Sequence, residues 1–186
     1  VAPRLWVIAL LVLIVSAVRP LETRAEAPKS AASTSDWLKQ SPETLKIGIE
    51  GNHPAAYYIL ASKLFEGGKK DEAVFWFYAG QLRYRFYLQA NPGLNPSGDP
   101  ALFASFSETL GRPLNEYAFG DIPRLAKTID EVLSWDAAHV NGFTSKTAHP
   151  QAYAEIRDGL VKLRDYMLKN QAEIKRQRIS NGLENR

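Results

Sequence analysis

The 186-residue chain has no cysteine, one methionine and no segment with the strict apolar/polar alternation of a half-buried strand. Without cysteine there is no disulfide framework and no lipid-modified N-terminal cysteine. Without strand patterning the fold class is all-α. No Gly-rich loop ends in Gly-Lys-Ser/Thr, so nothing supports phosphate binding of the P-loop type. No serine has a Gly-flanked elbow or the Ser-x-x-Lys spacing used in nucleophilic catalysis. The three histidines, His53, His139 and His149, are scattered, and none has a second ligand at metal-binding spacing. His53 and His149 precede prolines at helix starts, where a capping role explains them. The sequence therefore implies neither metal nor cofactor.

Charge of one sign is also scarce. The formal net charge is +3, from 23 basic and 20 acidic residues. Arg4 followed by the apolar run from Leu5 to Val18 and the polar stretch ending Thr23-Arg24-Ala25 has the three parts of a secretory signal peptide. The run is shorter than the roughly 20 residues of a membrane span. Cleavage after Ala25 is expected, with an uncleaved anchor as the alternative; only then would the chain touch a membrane. Arg4, Arg19 and Arg24 leave with Glu22, which lowers the charge from +3 to +1. A nearly neutral mature domain does not have the basic footprint of a nucleic-acid binder. About 160 residues remain, enough for one core without cross-links. The expected organisation is a signal peptide over 1–25, a small-residue linker over 26–35, a helical domain over 36–179 and a frayed tail over 180–186.

Helical periodicity is what the chain does contain. Tyr57, Leu60, Ala61 and Leu64 share one helix face, with Asn52 or His53 as cap and Pro54 in the first turn. Gly67 and Gly68 stop that helix, and a second restarts near Asp71 with Ala73, Phe77 and Gly80 as its stripe. Small residues at Ala73 and Gly80 let the two helices approach. From Ala73 to Leu88 nearly every face is apolar or aromatic, which places this helix at the centre of a bundle. Gln81, Arg85 and Gln89 leave one polar stripe, either solvent-facing or prepared for a partner. Further helices are expected from Ser41-Pro42, ending at Gly51, from Asp99-Pro100, ending at Gly111, from Asp121, closed by Trp135-Asp136, and from Pro150, with a short turn around Leu114 and Tyr117. Lys175, Arg176 and Arg178 are expected at a solvated helix end.

The stretch Pro54 to Leu82, with Tyr57, Leu60, Ala61, Leu64, Ala73, Phe77, Gly80 and the GGKKDEA turn, resembles one hairpin of the tetratricopeptide repeat family and its Sel-type relatives. The resemblance covers about thirty residues, and no second copy flanks it. It implies a compact bundle around one such hairpin and a function in holding another polypeptide. The expected function is an exported, non-catalytic protein-interaction module of the bacterial periplasm; an immunity or accessory protein that masks a partner is one form this takes. Tyr58 and Ser62, on the side of the first hairpin helix away from its stripe, join Arg83 and Arg85 as expected partner contacts, because aromatic and Arg side chains favour binding hot spots. Two alternatives stay open. One is a cell-envelope hydrolase with Glu116 and Asp121 as paired carboxylates. The other is a purely structural helical scaffold.

Overall fold

A computed structural model of the chain describes residues 34–186. The leader expected over 1–25, and the linker as far as residue 33, lie outside the described residues. Among those described there are nine α-helices, one 3₁₀ turn and no strand, so the all-α class and the compact bundle are as the periodicity predicts. None of these helices is long and apolar enough to cross a membrane. The helices are α1 Thr34–Lys39, α2 Pro42–Lys46, α3 Ala55–Glu66, α4 Lys70–Ala90, α5 Asp99–Thr109, α6 Gly111–Ala118, α7 Ile122–Ala138, α8 Pro150–Lys169 and α9 Gln171–Ser180.

The hairpin α3/α4 is the centre. Its turn closes by two nested bonds, Gly68 N–H to the Phe65 carbonyl at 3.1 Å and Lys69 N–H to the Leu64 carbonyl at 2.8 Å. This arrangement needs a left-handed residue after the helix, and Gly68 supplies it at φ +79°. Gly80 sets the helix spacing: a Cβ there would lie 2.8 Å from the Tyr57 Cβ. Tyr57, Leu60, Leu64 and Phe77 are fully buried between the helices. Each such side chain contributes roughly 1.5–3 kcal/mol by leaving water.

Helix α7 runs parallel to α4. Asp71 pairs with Arg124 at 2.7 Å and Arg83 with Asp136 at 3.1 Å. The two partners lie twelve residues apart on each helix, which fixes both direction and register. Asp121 caps α7 by accepting the Arg124 N–H, and Leu125, Ile129, Val132 and Leu133 face inward as expected. Helices α5 and α6 make the crossover, and α8 packs on α7 and α4 through Ile156, Leu160, Leu163 and Met167.

Several boundaries differ from expectation, each for a local reason. Gly48, at φ +65°, breaks the first expected helix before Gly51, leaving α2 and the 3₁₀ turn Ile49–Gly51. The short turn around Leu114 is a two-turn helix starting at Gly111, where a Cβ would lie 3.1 Å from the Phe77 ring. Helix α7 continues past Trp135-Asp136 to Ala138. Residues 180–186 are not frayed: the Arg186 N–H donates to the Gly120 carbonyl at 2.7 Å, and the Arg186 guanidinium lies 3.6 Å from the centre of the Tyr117 ring. Arg178 is likewise buried rather than solvated, donating to the Glu184 carbonyl at 2.6 Å and to Asn185 at 3.2 Å.

Candidate functional site

The four expected partner contacts do not form one face. Tyr58 is fully buried, its ring stacked 5.2 Å from Phe106 and set edge-on to Phe77 and Tyr84. Burial pushes its phenol pKa up. Arg83 is 1% exposed. Both are core residues, because α4 is covered on nearly every side and α3 presents Tyr58 to α5. Ser62 and Arg85 remain near or at the surface. Ser62 donates to Glu66 at 2.8 Å, and Arg85 donates to Gln81 at 3.0 Å with its guanidinium over Phe103. Glu116 is exposed, while the Asp121 carboxylate is held at its helix end as a cap. No observation therefore favours the paired-carboxylate alternative.

Arg83 instead anchors a buried polar junction. Its Nε donates to Asp136 Oδ1 at 3.1 Å, and Nη1 donates to the Tyr57 hydroxyl at 2.8 Å and the Glu50 carbonyl at 3.3 Å. Nη2 donates to the Val140 carbonyl at 3.0 Å. The other oxygen of Asp136, a residue with no exposure at all, accepts from Tyr153 at 2.7 Å and lies 3.3 Å from Lys146 Nζ and 3.7 Å from Arg157. Burial together with Asp136 pushes the Tyr153 pKa up to about 12. Burial lowers the Lys146 pKa, against the pull of the Asp136 carboxylate. One guanidinium thus joins α3, α4, α7, the 3₁₀ turn and the 139–149 loop. Removing one partner of such a pair costs roughly 3–5 kcal/mol, since the other charge stays buried alone.

The sequence reading missed Asp136, though a signal was present. Asp136 continues the inward stripe Ile129, Val132, Leu133, and a carboxylate on a core face calls for a cation. Arg83, on a helix apolar all round, was the matching one.

Beside this junction lies a cluster of aromatic side chains. Trp135 is clasped between the Arg83 guanidinium, 4.6 Å from its ring, and the His139 imidazole, stacked at 4.8 Å. Phe75 and Trp76 meet Trp135 edge-on at 6.0 and 5.4 Å. All three rings are only partly buried. Val140, next to His139, and Ile47, next to Lys46, are 77% and 80% exposed. The segments close on one another: Gly142 N–H donates to the Glu50 carbonyl at 2.9 Å, and Lys46 pairs with Glu72, one turn before Trp76. The His139 Nδ1 lies 2.7 Å from the Trp135 carbonyl. A carbonyl only accepts, so Nδ1 carries a proton.

A second polar cluster fixes the entrance to the hairpin. His53 Nδ1 accepts the Ala55 N–H at 3.1 Å, so its proton is on Nε2, 3.0 Å from Asp99 Oδ1. Tyr84 and Tyr87 donate to the same carboxylate at 3.1 and 3.0 Å. Trp37, Phe143 and both tyrosines surround the imidazole. Burial lowers the His53 pKa, opposed by Asp99. Burial and Asp99 push the Tyr87 pKa up to about 12. With both ring nitrogens of His53 engaged, this cluster positions α5 and the loop before it against the hairpin.

No family model matches the chain, and no solved structure matches it. Over 152 residues it is 26% identical to an uncharacterised protein of Haemophilus influenzae, a match covering 81% of this chain and 56% of that protein. The chain thus spans little more than half the length of that relative.

Proposed function

We propose that the chain is a non-catalytic helical module that holds another protein, and that it does so through the surface around Trp76, Trp135, His139, Val140 and Ile47. The observation that carries this reading is the pairing of that surface with the junction beneath it. Two large aliphatic side chains, Ile47 and Val140, are exposed on segments whose Glu50 and Val140 carbonyls accept from Arg83, the residue that also lies over the Trp135 ring. A rigid support lowers the ordering cost of association, and aromatic anchors dominate binding energy. The tetratricopeptide-like character of the hairpin favours the same class of work. The leader-like N-terminus supports export to a bacterial periplasm, where masking a partner suits an immunity or accessory protein.

The test uses the chain as bait in envelope extract, beside the double variant Ile47→Ser, Val140→Ser. Both side chains are exposed, so the fold is kept. The expected outcome is one partner at stoichiometric yield with the wild type and its loss with the variant. Equal recovery by both, or no partner at all, would contradict the reading.

A further inference from the structure

Helix α5 covers one side of the hairpin without being buried itself. None of its residues is fully buried, and Leu102, Phe103 and Phe106 pack on the core only in part. The Phe106 ring stacks on Tyr58, which has no exposure, and the Phe103 ring meets Tyr84 at 5.1 Å. The polar side of this contact is unfinished. The Tyr58 and Ser107 hydroxyls are both buried, and neither has a hydrogen-bond partner. The influence of Ser107 on the Tyr58 phenol puts the two near one another under the helix, short of a bond. A buried hydroxyl left unpaired costs free energy, which hydration returns when the cover lifts. Closure of α5 therefore sets partial apolar burial against that cost.

The two ends of α5 are attached differently. Among the described residues, the hydrogen bonds and ion pairs that tie α5 to the hairpin and its entrance run through Asp99. Its carboxylate takes Tyr84, Tyr87 and His53 at 3.1, 3.0 and 3.0 Å. The segment 91–98 before it bonds to itself and to the last turn of α4. The other end runs into α6, whose Gly111 and Leu114 are buried. We propose that α5 is a lid. It lifts from its Asp99 end about the Leu110–Gly111 junction while the hairpin stays folded, a local opening of the kind that elements with few buried contacts undergo. Lifting uncovers the Tyr58 and Tyr84 rings with their hydroxyls, a face of the hairpin that the closed form conceals. The lid stands apart from the reading of the Trp135 surface.

The absence of cysteine makes the lid directly testable. In Ser107→Cys a single thiol replaces the buried hydroxyl. Its reaction with an aromatic disulfide reagent is followed in native buffer at about pH 8, where a thiol is partly ionised. The reference is the rate that global unfolding alone allows, taken from urea unfolding of the same variant and the rate of its unfolded thiol. The thiol should react at least about tenfold faster than that reference. Adding Tyr87→Phe, which removes one bond to Asp99, should widen the gap from its own reference. Hydrogen exchange of the unsubstituted chain reads the same opening without a variant, and α5 amides should exchange at least about tenfold faster than those of α3 and α4. A thiol no faster than global unfolding allows, or α5 amides as protected as those of α3 and α4, would overturn the lid. A gap unmoved by Tyr87→Phe would overturn the Asp99 end as the one that lifts.

Discussion

His53 shows how a residue read from sequence as a turn former acquires a measurable consequence in the fold. Its Nδ1 is an acceptor for the Ala55 N–H, so protonation would set one N–H against another. Its folded pKa lies below the ordinary 6.5 because burial disfavours the cation more than Asp99 favours it. Below pH 6.5 the unfolded chain therefore binds this proton more readily than the folded chain. The His53 contribution is fully present above that value and is lost as pH falls through the folded pKa. Urea unfolding from pH 8 downward should give a midpoint that holds until about pH 6.5 and then declines. The variant His53→Asn, which keeps a polar acceptor near the Ala55 N–H, should decline less steeply between about pH 6.5 and 5. Identical slopes in the two proteins would contradict this assignment. At this scale the sequence was only partly legible. The capping role of His53 followed from its place before Pro54, but Asp99 lies 46 residues away and no local pattern announces it. Tyr58 and Arg83 misled for a similar reason, since residue type suggests a hot spot while tertiary cover decides exposure.

Among the helices, the α3/α4 hairpin was the most legible, because its signals are short-range. Gly67 and Gly68 mark the stop, and the stripes Tyr57–Leu64 and Ala73–Gly80 have helical spacing. The boundaries that shifted depend on distant contacts, such as Gly111 against Phe77, or on a single left-handed residue, Gly48. The hairpin spacing gives an element-scale prediction with two opposing effects. Gly80→Ala gains about 1 kcal/mol of helix propensity. It also drives a Cβ to 2.8 Å from the Tyr57 Cβ, an atom tied to backbone that cannot swing away. Overpacking of that kind costs roughly 1–3 kcal/mol. The overpacking effect should prevail, lowering stability in urea by roughly 1 kcal/mol. Increased stability would mean that the two helices have room to separate.

For the whole molecule, the all-α bundle was readable because the longer helices α3, α4, α7 and α8 carry helical apolar patterns in their own sequences. The candidate surface was not, because its residues come from the segment after α2, from α4, from α7 and from the loop after α7, which are distant in sequence. Its assembly depends on Arg83 and Asp136, 53 residues apart on parallel helices. The docked tail had the same origin: Arg186 reaches Tyr117 and Gly120 across 69 and 66 residues. The surface above the Arg83–Asp136 junction is proposed to hold another protein. A photo-reactive amino acid placed at position 140 in living cells that express the chain tests this most directly. A second protein with the same group at position 169 serves as the control, since α8, at 20 residues, carries Lys169 about 30 Å from the loop where it starts. An adduct of one defined mass is expected from position 140 and none from position 169. Adducts of equal yield from both positions, or none from position 140, would contradict it.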